Sequence, residues 1–406
     1  MKLPIISTNP ADWANSASPA NPAKIIGIMS GTSHDGVDAA LALIGLEGEG
    51  DTGYDAISEY DGISVRVLDH LHVPYTPELR DKISLAFTGD TNHLCRLNFE
   101  LGEVFAEAAL SLMKQSDCEP SSVEAIASHG QTVYHVPSTP GQSGSTLQIG
   151  EASVIAVKTG VLTISDFRTK DVALGGQGAP LVPIADYILF HKPGTVRAVL
   201  NIGGLSNVTI VGERPGDIVA FDIGPGNSLM DDLVRLHTSG RAWFDRDGSL
   251  AAGGKLIGEL FDELLANPYF KELPPKSTGR ELFGMALVRY VLAKYGNTKP
   301  EDLLCTFANL TATTICDAIA PYGPREVIAT GGGCKNLFLM GLLREKMEGS
   351  GIALTEISHY GVSPEEKEAV CFALLGFLTL RGMAGNVPSA TGASRGAILG
   401  KINLPG

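Results

Sequence analysis

The sequence predicts an α/β protein with two lobes, each built on a mixed sheet with flanking helices, and a cleft between the lobes. The first observation behind this prediction is a repeated order of strand, loop, strand, strand and then helices, which starts near residues 24 and 197. The second is that 48 of the 406 residues are glycine, about 12% where roughly 7% is usual. Many of these glycines follow apolar β-branched runs, which is typical of ligand loops in α/β proteins.

The first half opens with the apolar segment 24–29, a Gly/Ser/Asp turn and the segment 37–46, which together predict a β-hairpin. The extended segment 63–73 predicts a third strand of the same meander. Residues 96–115 repeat apolar side chains at helical spacing and predict an amphipathic helix. Two further strands, AIASHG and LTISDF, follow, with the helix-like segment EASVIAVKTG between them.

The second half repeats this plan. Strands are predicted at RAVLNIG, SNVTIVG and DIVAFDIGPG, and a helix follows Asn227, which is suited to cap it. EVIATGGG and ALTEIS predict two more strands, each followed by a helix. We therefore expect a flexible N-terminal arm at 1–23, a first lobe at 24–195, a second lobe at 196–380 and a covering tail at 381–406.

The composition excludes several classes of function. With 31 basic and 45 acidic side chains, the net charge of −14 disfavours nucleic-acid binding, which needs a cationic surface. No apolar run reaches the roughly 18 residues of a membrane-spanning helix, and the N-terminus lacks the apolar core of a signal peptide, so we expect a cytoplasmic protein. The six cysteines form no CxxC pair, so neither a zinc site nor a disulfide framework is indicated.

Three glycine turns stand in place of the familiar nucleotide motifs. There is no GxxxxGK(S/T) motif, and the GxGxxG match at 48–53 carries two acids that would repel a pyrophosphate. The turn at 29–36 combines Gly31 with hydroxyl side chains, and the turn at 201–207 is its counterpart, so that the two could hold a triphosphate. The turn at 331–336 has room for a base and ribose. Each turn by itself is also compatible with an ordinary loop.

Polar side chains at strand ends are the candidates for chemistry. Asp222 ends an apolar strand, where its carboxylate could take a proton from water or an alcohol, or else bind the amides of its own turn. His129, Gln131 and Arg168 follow two other strands and could line a sugar site, in which Arg168 or Lys170 would bind a substrate carboxylate. A lone histidine, however, is often structural. Glu368 lies on a helix with apolar faces, directed either at a ligand or at water.

Taken together, these segments resemble one family, the anhydro-N-acetylmuramic acid kinases, which share the fold of actin, hexokinase and acetate kinase. The resemblance covers about residues 24–400, and its most specific strings include DFRTKDVALGGQGAPLVP, FDIGPGN, PKSTGRELF and TGGGCKN. One difference is Lys367, which precedes Glu368 where the family often has an apolar residue.

The resemblance implies that MgATP and water convert 1,6-anhydro-N-acetylmuramic acid into N-acetylmuramic acid 6-phosphate and ADP, in peptidoglycan recycling. It also implies Asp222 as the catalytic base, Glu368 as a sugar-site acid and a homodimer. Asp35 or Asp38 would hold Mg²⁺ through waters. The nucleotide-binding residues expected from the turns and the resemblance are Gly31, Thr32, Ser33, His34, Asp35, Gly36, Val37, Asp38, Gly203, Gly204, Gly331, Gly332 and Gly333.

Two alternatives remain open from the residues alone. The first is a kinase of the same fold that phosphorylates a free sugar or a carboxylate, with Asp222 taking the proton of a hydroxyl directly. The second is an ATP-switched sensor without enzyme activity, since one fold can serve several functions.

Overall fold

The computed structural model describes residues 22–31, 34–46, 58–139 and 141–406. The chain forms two compact units. The first runs through Leu189 and also includes Gly361–Gly406, and the second is Phe190–Tyr360. The predicted arm, as far as residue 21, and the GxGxxG match lie outside the described residues.

The elements of both units are as follows. The strands are β1 (Ala23–Ser30), β2 (Gly36–Leu46), β3 (Ile63–Pro74), β4 (Ala125–Val136), β5 (Ser145–Ile149), β6 (Thr163–Ser165), β7 (Arg197–Ile202), β8 (Leu205–Val211), β9 (Val219–Pro225), β10 (Glu326–Thr330), β11 (Ala353–Glu356) and β12 (Lys401–Asn403). The helices are α1 (Pro77–Ala86), α2 (Thr91–Gln115), α3 (Ala152–Thr159), α4 (Thr169–Ala173), α5 (Pro183–Phe190), α6 (Ser228–His237), α7 (Ser249–Ala252), α8 (Gly258–Leu265), α9 (Met285–Tyr295), α10 (Pro300–Ile319), α11 (Leu337–Glu348), α12 (Lys367–Leu380) and α13 (Pro388–Thr391).

The two sheets share one topology. The seven-stranded sheet of the first unit has the order β12-β6-β4-β1-β2-β3, with β5 paired to β4. In it β1, β2 and β3 form an antiparallel meander, and β4 and β6 continue in parallel from β1. The five-stranded sheet of the second unit, β11-β10-β7-β8-β9, repeats this with a meander from β7 to β9 and two parallel strands. The predicted duplicated α/β fold is confirmed.

Helices cover both faces of the first sheet. Successive residues of β1 point to opposite faces, and Ile28 packs with Phe105 of α2 in one buried apolar cluster. On the other face, α12 lies directly on β1, because a side chain at Gly27 would collide with the backbone carbonyl of Ala369. The glycine therefore permits the close contact between this strand and the helix that carries Glu368.

The second unit has a long apolar helix in its core. Together with the turn that follows it, α10 spans Pro300–Tyr322 and is long and apolar enough to cross a membrane, by length and composition only. Our expectation that no segment reaches that length is wrong by this measure. However, 67% of its most apolar window is buried, and Phe307 and Ile315 belong to the apolar cluster that packs on the second sheet.

The division of the chain differs from the expected boundaries at its C-terminal end. α12, expected in the second lobe, packs on β1, β2 and β4 of the first unit. The segment after it, expected only to cover the protein, pairs β12 with β6 and so extends the first sheet. The sequence pattern could not predict that α12 packs on the first sheet, because the apolar face of a helix does not indicate which sheet it covers.

Candidate active site

A row of polar side chains crosses the second sheet near the carboxyl ends of its parallel strands. Asp222 on β9 lies opposite Asn207 on β8, and Asn207 lies opposite Asn201 on β7. Asn201 is in turn paired with Thr330, the last residue of β10. Because residues paired across a sheet share one face, the register brings the predicted base beside strands that lead into two of the glycine turns.

The segment 269–278 holds Asp222 in place. The amide of Thr278 donates to Asp222 Oδ2 at 3.1 Å, and the Asp222 amide donates to the carbonyl of Lys276 at 3.2 Å. The hydroxyl of Tyr269 donates to the Asp222 carbonyl at 2.7 Å. Burial raises the pKa of Asp222 above its ordinary value, and the Thr278 amide opposes that shift. The carboxylate is therefore oriented by backbone groups and is a stronger base than a free aspartate.

The glycine turn before β8 is fixed against the start of α6. The amides of Gly226 and Ser228 each donate to the carbonyl of Gly204 at 2.9 Å, and the Asn227 amide donates to that of Gly203 at 2.9 Å. Asn227 occupies the predicted cap position of α6, but its side chain makes no capping hydrogen bond. Backbone hydrogen bonds therefore fix the turn, and its two glycines add no side-chain bulk.

The third glycine turn follows β10 and packs on β7. Gly331 has φ +88°, a conformation that favours glycine, and a Cβ there would lie 2.6 Å from Asn201 Oδ1. Gly333 is buried against Ile202, whereas Gly332 is exposed and nothing lies within 4 Å of its Cβ position. The turn thus leaves open space at Gly332, where a flat group such as a base could approach the backbone.

The β1–β2 hairpin forms the corresponding turn of the first unit. Two of its predicted nucleotide-binding residues, Thr32 and Ser33, lie outside the described residues. The buried Ser30 donates its hydroxyl to Gln131 Oε1 at 2.6 Å, and Gln131 donates to the carbonyl of Gly31 at 3.4 Å. Since Gln131 is 0% exposed, it braces this turn and has no surface with which to contact a sugar.

The two acids proposed for a metal are placed differently. Asp38 Oδ1 lies 2.9 Å from His72 Nδ1 and 3.3 Å from His70 Nε2. Burial acts to raise the pKa of Asp38, but the bonds to both histidines lower it overall. Asp35 is exposed, and its carbonyl accepts from the Tyr75 amide at 2.9 Å. Among the described residues no group of three His, Cys, Asp or Glu side chains could hold a metal ion, so the protein has no ready-made magnesium cage here.

Arg168 is oriented by two hydrogen bonds. Its Nε donates to His129 Nε2 at 2.9 Å and its Nη1 donates to the carbonyl of Gly178 at 2.8 Å. Burial and the charge of Arg168 hold the pKa of His129 well below its usual range, so the ring is neutral and accepts this bond. Burial lowers the pKa of Arg168 to about 10. Because this value is still well above 7, the guanidinium is charged at neutral pH. His129, 4% exposed, orients the arginine and does not itself face solvent.

A buried carboxylate joins this arginine to the C-terminal segment. Asp171, 0% exposed, accepts from the Gly178 amide at 2.8 Å and from the side chains of Asn386 and Thr391 at 2.7 Å each. Because Gly178 also accepts from Arg168, one chain of hydrogen bonds connects the C-terminal segment to the candidate sugar-site cation.

Glu368 lies in the first turn of α12. Solvent reaches its side chain, although protein atoms crowd the carboxyl group. That crowding raises the pKa of Glu368, while the charges of Lys367 and Arg168 act to lower it. The electrostatic influence of Arg168 on Glu368 shows that these two predicted residues lie in one neighbourhood.

Lys367, the residue that differs from the family pattern, is buried. Its Nζ lies 2.8 Å from Asp186 Oδ1 on α5, and the two side chains are 8% and 2% exposed. The ion pair explains how a lysine occupies an apolar position. Glu368, the next residue, is exposed.

The predicted residues therefore form two groups. Asp222 lies with the turns at 203–204 and 331–333 in the second unit, and Arg168, His129, Gln131 and Glu368 lie with the hairpin in the first. Sequence reasoning missed Thr278, which holds Asp222, and the histidine partners of Asp38. The string PKSTGRELF was a signal for the first of these, since it was among the most specific segments.

Comparison with known proteins agrees with the geometry. A family model described as anhydro-N-acetylmuramic acid kinase matches residues 23–405. The chain belongs to the anhydro-N-acetylmuramic acid kinase family. The anhydro-N-acetylmuramic acid kinase of Caldanaerobacter subterraneus subsp. tengcongensis is 42% identical over 397 residues, which cover 94% of this chain and 96% of that protein. The Streptomyces coelicolor kinase of the same name is 40% identical over 93% of both chains.

Solved structures of similar shape are more distant than these kinases. The activator of the 2-hydroxyisocaproyl-CoA dehydratase from Clostridium difficile has a TM-score of 0.44 at 10% identity, over 88% of this chain and 96% of that one. A ROK family glucokinase from Streptomyces griseus has a TM-score of 0.38 at 12% identity, over 87% of this chain and 98% of that one. At such TM-scores neither adds to what membership of the anhydro-N-acetylmuramic acid kinase family establishes.

Proposed function

We propose that this chain transfers the γ-phosphoryl group of ATP to O6 of 1,6-anhydro-N-acetylmuramic acid while water opens the anhydro ring. The products are N-acetylmuramic acid 6-phosphate and ADP. The observation that carries the proposal is Asp222, a half-buried carboxylate with a raised pKa, held beside the glycine turns in a chain of this kinase family. A base of raised pKa at a strand end suits the activation of water.

In the anhydro sugar, O6 is bonded to C1 and carries no proton. Water must therefore replace O6 at C1, and a base is needed to take a proton from that water. Asp222 takes a proton from a water molecule whose oxygen bonds to C1. The electron pair of the breaking C1–O6 bond remains on O6, which bonds to the γ-phosphorus as the bond to the leaving ADP oxygen breaks. Asp222 later releases its proton to solvent. Phosphoryl transfer itself asks mainly for alignment and charge neutralisation.

The nucleotide would be bound by the backbone of the glycine turns at 31–36, 203–204 and 331–333. When bound, Mg²⁺ would neutralise charge on the phosphates. The phosphates and water would supply most of its ligands, because Mg²⁺ keeps several waters and Asp38 is engaged by His70 and His72. Asp35 is then the more accessible of the two predicted carboxylates.

The sugar would be recognised by the polar residues of the first unit. Arg168, oriented by His129, is suited to bind the substrate carboxylate. Glu368 is suited to accept hydrogen bonds from the sugar, since solvent reaches it. We further propose a cytoplasmic role in peptidoglycan recycling, and a homodimer as the family resemblance implies.

The Asp222→Asn variant tests the base. We expect kcat to fall at least about 100-fold, since loss of a general base typically costs that much, while ATP binding is retained. Because the carboxylate must be ionised, the activity of the wild type should rise with pH through the raised pKa of Asp222. Asp217→Asn is the matched control: it makes the same chemical change at an exposed residue before β9 and should leave kcat unchanged.

Reaction in water labelled with heavy oxygen separates ring opening from the alternatives. The label should enter C1 of the sugar phosphate, and none should enter the phosphate. Equal or faster turnover of free N-acetylmuramic acid, with no label at C1, would instead favour the free-sugar kinase. Binding of ATP without phosphate transfer to either sugar would favour the sensor.

A further inference from the structure

Arg280 lies beside the glycine turn of the second unit. Its side chain is 58% exposed. The position that a Cβ of Gly204 would occupy is 3.4 Å from Arg280 Nη2 and 3.8 Å from Nε. The edge of the guanidinium formed by these two nitrogens therefore borders the turn. This edge carries parallel N–H groups, which match two oxygens of a phosphate or carboxylate.

Acidic residues hold the other side of this guanidinium. Arg280 Nη1 lies 3.5 Å from Asp232 Oδ1, and the Asp232 side chain is 3% exposed. The same oxygen accepts from Arg235 Nη2 at 3.1 Å. Asp231 is also near: burial raises its pKa to about 6, and the charge of Arg280 acts to lower it. Asp232 thus anchors Arg280 by one nitrogen and leaves the opposite edge toward Gly204.

The same loop also holds the predicted base. Thr278, two residues before Arg280, donates its amide to Asp222 Oδ2 at 3.1 Å. A group bound to Arg280 and a proton acceptor at Asp222 would therefore be positioned by one segment. The chain has a net charge of −14, so its overall field repels an anionic nucleotide, and a local cation at the turn would act against this repulsion.

We propose that Arg280 binds a phosphate group of the nucleotide at the Gly203–Gly204 turn, and that Asp232 is the positioning residue for its guanidinium. The inference rests on the proposed function in that it takes the nucleotide to be ATP. It goes further because it names a side chain that binds phosphate, whereas the glycine turns offer only backbone groups.

Nucleotide binding by the full chain tests this proposal without relying on sugar chemistry. In Arg280→Gln, the dissociation constant for ATP should rise about 10-fold or more, because a charge-assisted hydrogen bond is lost. Binding of adenosine, which has no phosphate, should not change. Arg280→Lys should restore part of the ATP affinity, since lysine keeps the charge but not the two-pronged geometry. Thermal unfolding checks that each variant is folded.

Arg235→Gln is the matched control, because it removes the other arginine partner of Asp232 and does not border Gly204. It should bind ATP as the wild type does. Unchanged ATP affinity in Arg280→Gln, an equal loss of ATP and adenosine binding, or the same loss in Arg235→Gln would each overturn the role of Arg280. If the wild type itself bound no ATP, the proposed function would fail, and this inference with it.

Discussion

At the scale of single residues, the ring of His129 has to stay neutral because its Nε2 accepts the hydrogen bond from Arg168 at 2.9 Å. Burial and the neighbouring guanidinium keep the pKa of His129 well below its usual range. The unfolded chain has no such restraint and takes up a proton near pH 6.5. Acid therefore favours the unfolded state at this residue.

We expect this histidine to lower the free energy of unfolding by up to about 1.4 kcal/mol for each pH unit below about 6.5. Above that pH the contribution is fully present and does not vary. His129→Gln keeps an acceptor for Arg168 but does not titrate, so its stability should depend less on pH. Urea unfolding of both proteins at about pH 7.5 and about pH 5.5 measures the difference. Identical pH dependences would show that His129 is not held neutral.

Single residues also show what the sequence can and cannot predict about the site. Asp222 could be singled out because an apolar strand ends at a carboxylate before a glycine turn. Its contact with Thr278 could not be predicted, because the two positions lie 56 residues apart and Thr278 is in a loop without periodicity. Only the segment PKSTGRELF, which contains Thr278, stood out as specific. His129 and Gln131 were predicted to follow a strand, but β4 continues to Val136 and both residues lie within it. Only the packing shows that both are buried.

At the scale of elements, the buried ion pair between Lys367 and Asp186 joins α12 to α5. Burial acts to lower the pKa of Lys367, but the charge of Asp186 raises it overall, so the lysine is charged. An ion pair in such a place fixes the position of a helix end more than it adds stability. Here that helix end carries Glu368.

Removing one partner of this pair should be costly. Lys367→Met leaves Asp186 buried without its counter-charge, and we expect a loss of about 3–5 kcal/mol in the free energy of unfolding. Lys401→Met is the control, because it removes an exposed ion pair with Asp166 of the same 2.8 Å length and should cost at most about 1 kcal/mol. Urea unfolding measures both, and equal losses would contradict the account of the buried pair.

Most strands could be predicted because their apolar pattern is set locally. The meanders of both sheets and the strand β10 fall where expected. β5 was not predicted, because STLQI is short, polar at alternate positions and defined mainly by its pairing with β4. The helix α12 was predicted as an element, but its place on the first sheet depends on Gly27 and Ala369, which are far apart in sequence.

At the scale of the whole molecule, the first unit is discontinuous and the second is not. The first sheet needs α12 on one face and β12 at its edge, and both come from Gly361–Gly406. The second unit takes all its strands and its apolar core from Phe190–Tyr360. The first unit therefore needs two separate segments of the chain, whereas the second needs one continuous segment.

We expect the fragment 190–360 to fold alone and to unfold cooperatively in urea, because it contains a complete core. A chain that ends at residue 360 should show only this transition, since it lacks the helix that covers the first sheet. Circular dichroism and amide hydrogen exchange of both fragments measure this. An unfolded fragment 190–360, or two native transitions in the shortened chain, would contradict the division.

The interrupted first unit also bears on how the protein is made. A ribosome releases β1 to β6 of the first sheet early, but the helix that shields them, α12, emerges only after the entire second unit. During that interval the second unit can fold, whereas the first sheet exposes an apolar face that invites chaperones or aggregation. Pauses in translation before residue 361 should accordingly lower the yield of active protein more than pauses after α12 has emerged.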